Sequence, residues 1–132
     1  MRVVVDTNVI VSALINVNGF PAKVLSLILN GGIKILYDNR ILFEYMDVLS
    51  RRKFVFSTEA VSGFIDYVRH SGEFINADIL NVNFDDEDDK VFYEVYKSGE
   101  AHYLVTGNMR HFPDDHRIIS PKEFIDRLIK VI

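Results

Sequence analysis

Val3, Val4 and Val5 form an unbroken run of β-branched apolar residues, and the chain then passes straight into Asp6, Thr7 and Asn8. A strand with one wet face alternates apolar and polar side chains. One that is apolar throughout is covered on both faces, the situation of a parallel sheet. Similar short runs recur at 33–37, 102–107 and 116–120, and 74–82 holds a further short strand. Between them lie segments with apolar residues at helical spacing. Residues 9–15 and 22–30 are two, the second with Pro21 at its start and Gly31–Gly32 as its stop. Residues 38–54 make a third, capped by Asp38 or Asn39, with Ile41, Leu42, Tyr45, Val48 and Leu49 as its stripe. A fourth covers 57–70 with Ser57 or Thr58 as cap. A fifth runs from the acidic stretch at 85–89 to Gly99, and a sixth closes the chain from Pro121 to Ile132. Strands alternating with helices predict a mostly parallel sheet with helices on both faces, an α/β/α architecture. At 132 residues the chain accommodates one domain, 1–132, with one core.

The sequence contains no cysteine, so disulfides and thiolate metal sites are ruled out. The apolar N-terminus resembles a short signal peptide, but Asp6 and Asn8 interrupt it and no small-residue cleavage site follows. No run reaches the roughly 20 apolar residues of a membrane span. The expectation is a cytoplasmic protein without a membrane partner. A net charge of −4 argues against a protein that simply coats nucleic acid. The charge is uneven, however. Setting aside the run Asp85–Asp89, Asp6 and Glu44, the remainder is net basic. A local acidic site on a mildly basic body accepts a polyanion once cations fill the site.

Ligands of open parallel sheets bind at the carboxyl ends of the strands. Asp6 directly follows the first strand and belongs on that rim. Asn108 follows a later strand in "VTGN" and shares the rim if the two strands are neighbours. Carboxylates gathered in one place repel, and hard oxygen donors without histidine or cysteine suit Mg²⁺ or Mn²⁺. Such sites serve phosphoryl chemistry. Other readings stand beside this one. Asp6 fits a turn or cap residue after a strand. The acid run fits a helix N-terminus that favours negative charge, and Asp85 and Glu87 are assigned to that role. Glu44 shares a helix side with Ile41 and Val48, so it is either paired with a base or held at a site. Arg51, Arg52 and Lys53 end a helix, where cations suit the dipole. Arg110 and His111 follow Asn108 and either meet phosphates or are plain loop residues. The aromatics Phe43, Phe64, Tyr67, Phe92, Tyr93 and Tyr96 are assigned to core or dimer interface, and His70, His102 and His116 to structural roles.

Taken together, these segments resemble the PIN domain family, in particular small bacterial and archaeal members described as toxin components of toxin–antitoxin systems. "VVVDTNVIVSAL" is similar to the family's opening motif, "ILFEYMDVLSRRKF" to its second, with Glu44 as the acid, and "DDEDDKVF" to its third, which aligns Asp86 and Asp89. "HYLVTGNMRHFP" resembles the fourth and "IISPKEFIDRL" the usual end. The resemblance spans essentially the whole chain. It implies a Rossmann-like three-layer α/β/α sandwich, an acidic Mg²⁺ or Mn²⁺ pocket and endoribonuclease activity on RNA. It further implies restraint by a small antitoxin protein and assembly as a homodimer. Asp6, Glu44, Asp89 and Asn108 are the expected catalytic set, and Asp6, Glu44, Asp86, Asp89 and Asn108 the expected metal set. Thr7, Asn8, Thr106 and Arg110 are expected to orient the acids or the substrate.

One position departs from the pattern. Asn108 stands where many members carry a fourth Asp. An amide oxygen can bind a metal or its water but adds no charge, so occupancy by a second metal is in question. Two rivals remain at this level. One is a phosphatase or phosphotransferase with Asp6 as nucleophile, which ordinarily wants a second Asp where Asn8 stands. The other is a PIN-like scaffold that binds RNA or protein without turnover.

Overall fold

The computed structural model describes residues 1–131, so Ile132, the last residue of the expected closing helix, lies outside the described residues. The strands are β1 (Arg2–Val5), β2 (Lys34–Tyr37), β3 (Glu73–Phe74), β4 (Tyr103–Val105) and β5 (Ile118–Ile119). The helices are α1 (Thr7–Ile15), α2 (Phe20–Leu29), α3 (Asn39–Leu49), α4 (Thr58–Ser71), α5 (Glu87–Ser98) and α6 (Pro121–Val131). All strands are parallel, in the order β3-β2-β1-β4-β5. Val3 pairs with Ile35 on one side and Tyr103 on the other, and Val5 pairs with Val105. The three valines of β1 are fully buried, as an apolar strand at the centre of a covered sheet must be.

The helices fall into two groups, α2 packing on α1 and α6, and α3 packing on α4 and α5. Tyr45 of α3 anchors the second group. Its ring lies 5.5 Å from that of Phe64 on α4 and 6.1 Å from that of Phe92 on α5. Its hydroxyl donates to the Val5 carbonyl, so α3 is pinned to the end of β1. This contact brings Glu44, the preceding residue, near the strand rim. Asp38 caps α3 by accepting from the Ile41 amide, and Ser57 caps α4 by accepting from that of Ala60. The expected stripe of α3 is buried throughout.

Two expectations need correction. The helix read over 38–54 stops at Leu49, its last apolar anchor, and Arg52–Phe54 forms a separate 3₁₀ turn ended by Val55 at φ 55°. Arg51, Arg52 and Lys53 therefore lie outside α3 rather than in its last turn. The rings of Phe54 and Phe56 stack on either side of Val55, centres 5.4 Å apart. The strand placed within 74–82 is also displaced. Glu73 and Phe74 alone pair with Leu36 and Tyr37, and residues 75–86 run without regular structure. Arg2 decides this by holding Glu73 with two hydrogen bonds of 2.7 and 2.8 Å across the sheet. Gly72 allows α4 to turn into β3 tightly against β2, since a Cβ there would meet the Val68 carbonyl oxygen at 2.5 Å.

Candidate active site

β1 has β2 on one side and β4 on the other, so the strand order reverses at β1 and a crevice opens between the carboxyl ends of β1 and β4. Asp6 stands in that crevice. Its amide donates to the Val105 carbonyl at 2.9 Å, and the residue is 5% exposed. Asp6 occupies the N-cap position of α1, yet its carboxylate takes no capping hydrogen bond. Oδ2 accepts instead from Thr106 Oγ1 at 2.8 Å and from Asn8 Nδ2 at 3.3 Å. Asn8 Oδ1 accepts the Gly107 amide at 3.1 Å, and Thr106 Oγ1 accepts that of Asn108 at 3.0 Å. The turn after β1 and the turn after β4 are thus tied together through one carboxylate. Asn8 and Thr106 therefore both hold the Asp6 carboxylate. The buried Thr7 Oγ1 makes no hydrogen bond among the described residues.

Burial pushes the Asp6 carboxyl up to about 6, the Thr106 hydroxyl opposes that shift, and the charge of Asp89 adds to it. Glu44 is raised as well, first by burial, then by the charges of Asp88, Asp47 and Asp6, with Arg51 opposing. Asp89, near the start of α5, is raised by burial and by Asp86, with His111 opposing. His111 Nδ1 lies 3.1 Å from Asp89 Oδ2. The charge of Asp89 thus reaches Asp6 and that of Asp6 reaches Glu44, and Asp6 has no cation partner among the described residues. No group of three Asp, Glu or His side chains among the described residues is already closed into a metal cage. The donor chemistry nonetheless fits a hard divalent cation: carboxylates at the sheet rim, one of them buried without a counter-charge, beside the unpartnered Thr7 hydroxyl.

The remaining expected residues are distributed as follows. Asp86 caps α5, accepting the Asp88 amide at 2.9 Å, and is exposed. Asn108 and Arg110 are exposed at the 3₁₀ turn Met109–His111 that follows β4. Arg51 pairs with Asp47 at 3.4 Å. His102 Nδ1 accepts the Arg2 amide, a structural role. Phe64, Phe92 and Tyr96 are core, whereas Phe43 is 64% exposed. Phe43 lines a cleft of about 570 Å³ between α3 and α5, together with Glu44, Arg51, Asp88 and Val91.

The sequence reading missed one buried group. Glu94 of α5 is 2% exposed, accepts from Arg40 Nη1 at 2.8 Å and from the Leu80 amide at 2.7 Å. Arg40 also donates to Asp38 at 2.8 Å. With Lys90 and Lys97 four before and three after it, Glu94 reads as a solvated helix position, and only the docking of α3 and of residues 75–86 reveals otherwise.

An all-parallel α/β sandwich with carboxylates near its switch point is an architecture suited to binding a ligand or cation at the strand ends. The chain belongs to the PIN domain family, whose pattern matches residues 2–110 and so spans Asp6, Glu44, Asp89 and Asn108. Over its full length it is also 32% identical, across 150 aligned positions, to the uncharacterized protein MJ1680 of Methanocaldococcus jannaschii, of which the alignment covers 94%. No helix among the described residues is long and apolar enough by itself to cross a membrane.

Proposed function

We propose that this chain is a metal-dependent endoribonuclease hydrolysing RNA phosphodiester bonds, and that it is the toxin half of a toxin–antitoxin pair in the cytoplasm. The observation that carries the reading is Asp6: a buried carboxylate without a counter-charge at the switch point, coupled to Asp89 and Glu44. Membership of the PIN domain family supports it. Asp6, Glu44 and Asp89 would hold Mg²⁺ or Mn²⁺, with Asn108 or Asp86 supplying a neutral or a further charged oxygen. The cation, when bound, supplies an activated water and offsets phosphate charge. Thr106 and Asn8 fix the Asp6 carboxylate in one orientation, and His111 does the same for Asp89. Arg110, on the turn after Asn108, is available to the substrate backbone.

The test is cleavage of a mixed structured RNA pool in Mn²⁺, Mg²⁺ or EDTA, with a DNA pool in parallel. Metal-dependent cuts in RNA, leaving 5′-phosphate ends, are expected. A cyclic phosphate product would contradict the mechanism, and metal binding without cleavage would favour the scaffold reading. Expression alone should arrest growth, a small antitoxin should co-purify when co-expressed, and light scattering should report a homodimer.

Metal affinity should depend on pH in an unusual window. Cation and proton compete for Asp6, whose metal-free carboxyl titrates at about 6. Affinity should therefore fall about tenfold per pH unit below that point, where an ordinary carboxylate would still be ionised. Calorimetric titration of Mn²⁺ between about pH 5 and 7.5 checks this, and a flat profile would rule out Asp6 as a ligand. Asn108→Asp should tighten metal binding at pH 7.5 several-fold by adding a charged donor at the rim. Unchanged affinity would place residue 108 outside the metal's reach.

A further inference from the structure

We propose that the groove between α1, α2 and α6 takes the backbone phosphates of the RNA strand on one side of the scissile bond. This rests on the nuclease reading and adds to it a direction of entry. The groove, about 390 Å³, adjoins the Asp6 crevice: Asn8 and Gly107 line it, one hydrogen bond or two from the carboxylate, and so does Asn108. None of the residues lining it is acidic. Ser12, Ser120 and Lys122 offer a hydroxyl, a hydroxyl and an ammonium along its walls. Lys122 Nζ lies 5.8 Å from the centre of the Phe20 ring, and Lys23 Nζ lies 4.8 Å from the same ring. Lys122 thus belongs to the groove's lining and Lys23 stands by the same Phe20 ring. Lys122 has Asp126 at 3.0 Å, while Lys23 has no ion pair among the described residues. A phosphate in the groove would be attracted by both positive charges.

The cleft on the other side of the acids is built oppositely. Glu44, Asp47 and Asp88 line it, and its two arginines are already engaged, Arg40 by Asp38 and Glu94, Arg51 by Asp47. Phosphates there would face three carboxylates, whereas no carboxylate lines the groove. The asymmetry steers a polyanion toward the acid-free groove.

The experiment measures binding of a short fluorescent RNA in EDTA across a salt series, in the Asp6→Asn background so that the strand stays intact. Each phosphate contact on a single strand contributes about 0.7 to the slope of log affinity against log salt. Lys23→Gln with Lys122→Gln should lower that slope by about 1.4 and weaken binding about tenfold, while Arg51→Gln leaves the slope unchanged. In wild-type cleavage assays the same lysine pair should raise KM with little change in kcat. Both lysines are exposed, so the variants test contact rather than folding. If the slope falls with Arg51→Gln and not with the lysine pair, the strand runs through the α3–α5 cleft and the proposal is overturned while the nuclease reading stands. If the lysine pair changes neither slope nor KM in a protein that cleaves RNA, the groove alone is overturned. A protein that neither binds nor cuts RNA overturns both.

Discussion

Asp6→Asn should abolish any cleavage and at the same time make the metal-free protein more stable at neutral pH. The two effects have one cause. The fold holds the Asp6 carboxyl at about 6, against an ordinary value of 3.8. For a carboxyl raised on folding, the native state keeps a proton that the unfolded chain releases. Stability is then fullest below about pH 4 and declines as pH rises to about 6, above which the ionised group costs on the order of 3 kcal/mol. Asparagine carries no charge to bury, and its side-chain oxygen can still accept from Thr106 and Asn8. The variant should gain about 1–3 kcal/mol at pH 7.5 in EDTA, less whatever its new amide hydrogens lose by burial. The gain over wild type should vanish below about pH 3, where Asp6 is protonated in both states. Turnover should fall by more than about a hundredfold, beyond the 10–100-fold typical of losing a group that merely supports a metal ligand. Thermal melts with and without Mg²⁺ separate the contributions: added metal should raise wild-type Tm and leave the variant's almost unmoved. A variant less stable than wild type at pH 7.5 in EDTA would show that Asp6 is already neutralised within the fold.

Arg40→Met should be strongly destabilising although it lies outside the candidate site. It leaves Glu94, 2% exposed, with only the Leu80 amide as partner, and removes the link to Asp38. Breaking a buried pair by deleting one member costs about 3–5 kcal/mol, and the guanidinium's 41% exposure reduces the expectation here to about 2–3 kcal/mol. Glu94→Gln in the Arg40→Met background should recover much of the loss, because the amide removes the buried charge. Urea denaturation of the two single variants and the double variant completes the cycle. A loss below about 0.5 kcal/mol for Arg40→Met would mean that water reaches Glu94. The network also ties residues 75–86, through Leu80, to the helix that carries Asp89.

Much of this was legible in the linear chain because the signals are local. Three consecutive valines are compatible with few environments other than a covered strand. Pro21, Ser57, Gly99 and Pro121 mark helix ends through their own backbone and capping chemistry. Asp6 and Thr106 are a strand's end apart from the core, and adjacency of β1 and β4 suffices to bring them together. The signals failed where a distant partner decides. The basic triplet at 51–53 continues a helical composition, but α3 ends at Leu49 and a separate 3₁₀ turn follows. β3 is only the pair of residues that Arg2 and β2 can hold. Glu94 has no local mark, because its cation lies on another helix.

The residues by themselves determined an alternating α/β chain with a parallel sheet, an acid after the first strand and a set of hard oxygen donors in a chain without cysteine. Backbone preference and apolar period are properties of neighbours along the chain, so they survive in a bare sequence. Tertiary structure alone decided that Asp6 is buried without a counter-charge, that His111 sits on Asp89, that Glu94 is neutralised by Arg40, and that one flank of the acids is acid-free while the other is not. Each of these depends on burial and on charges many residues apart, quantities that exist only once the chain has closed on itself.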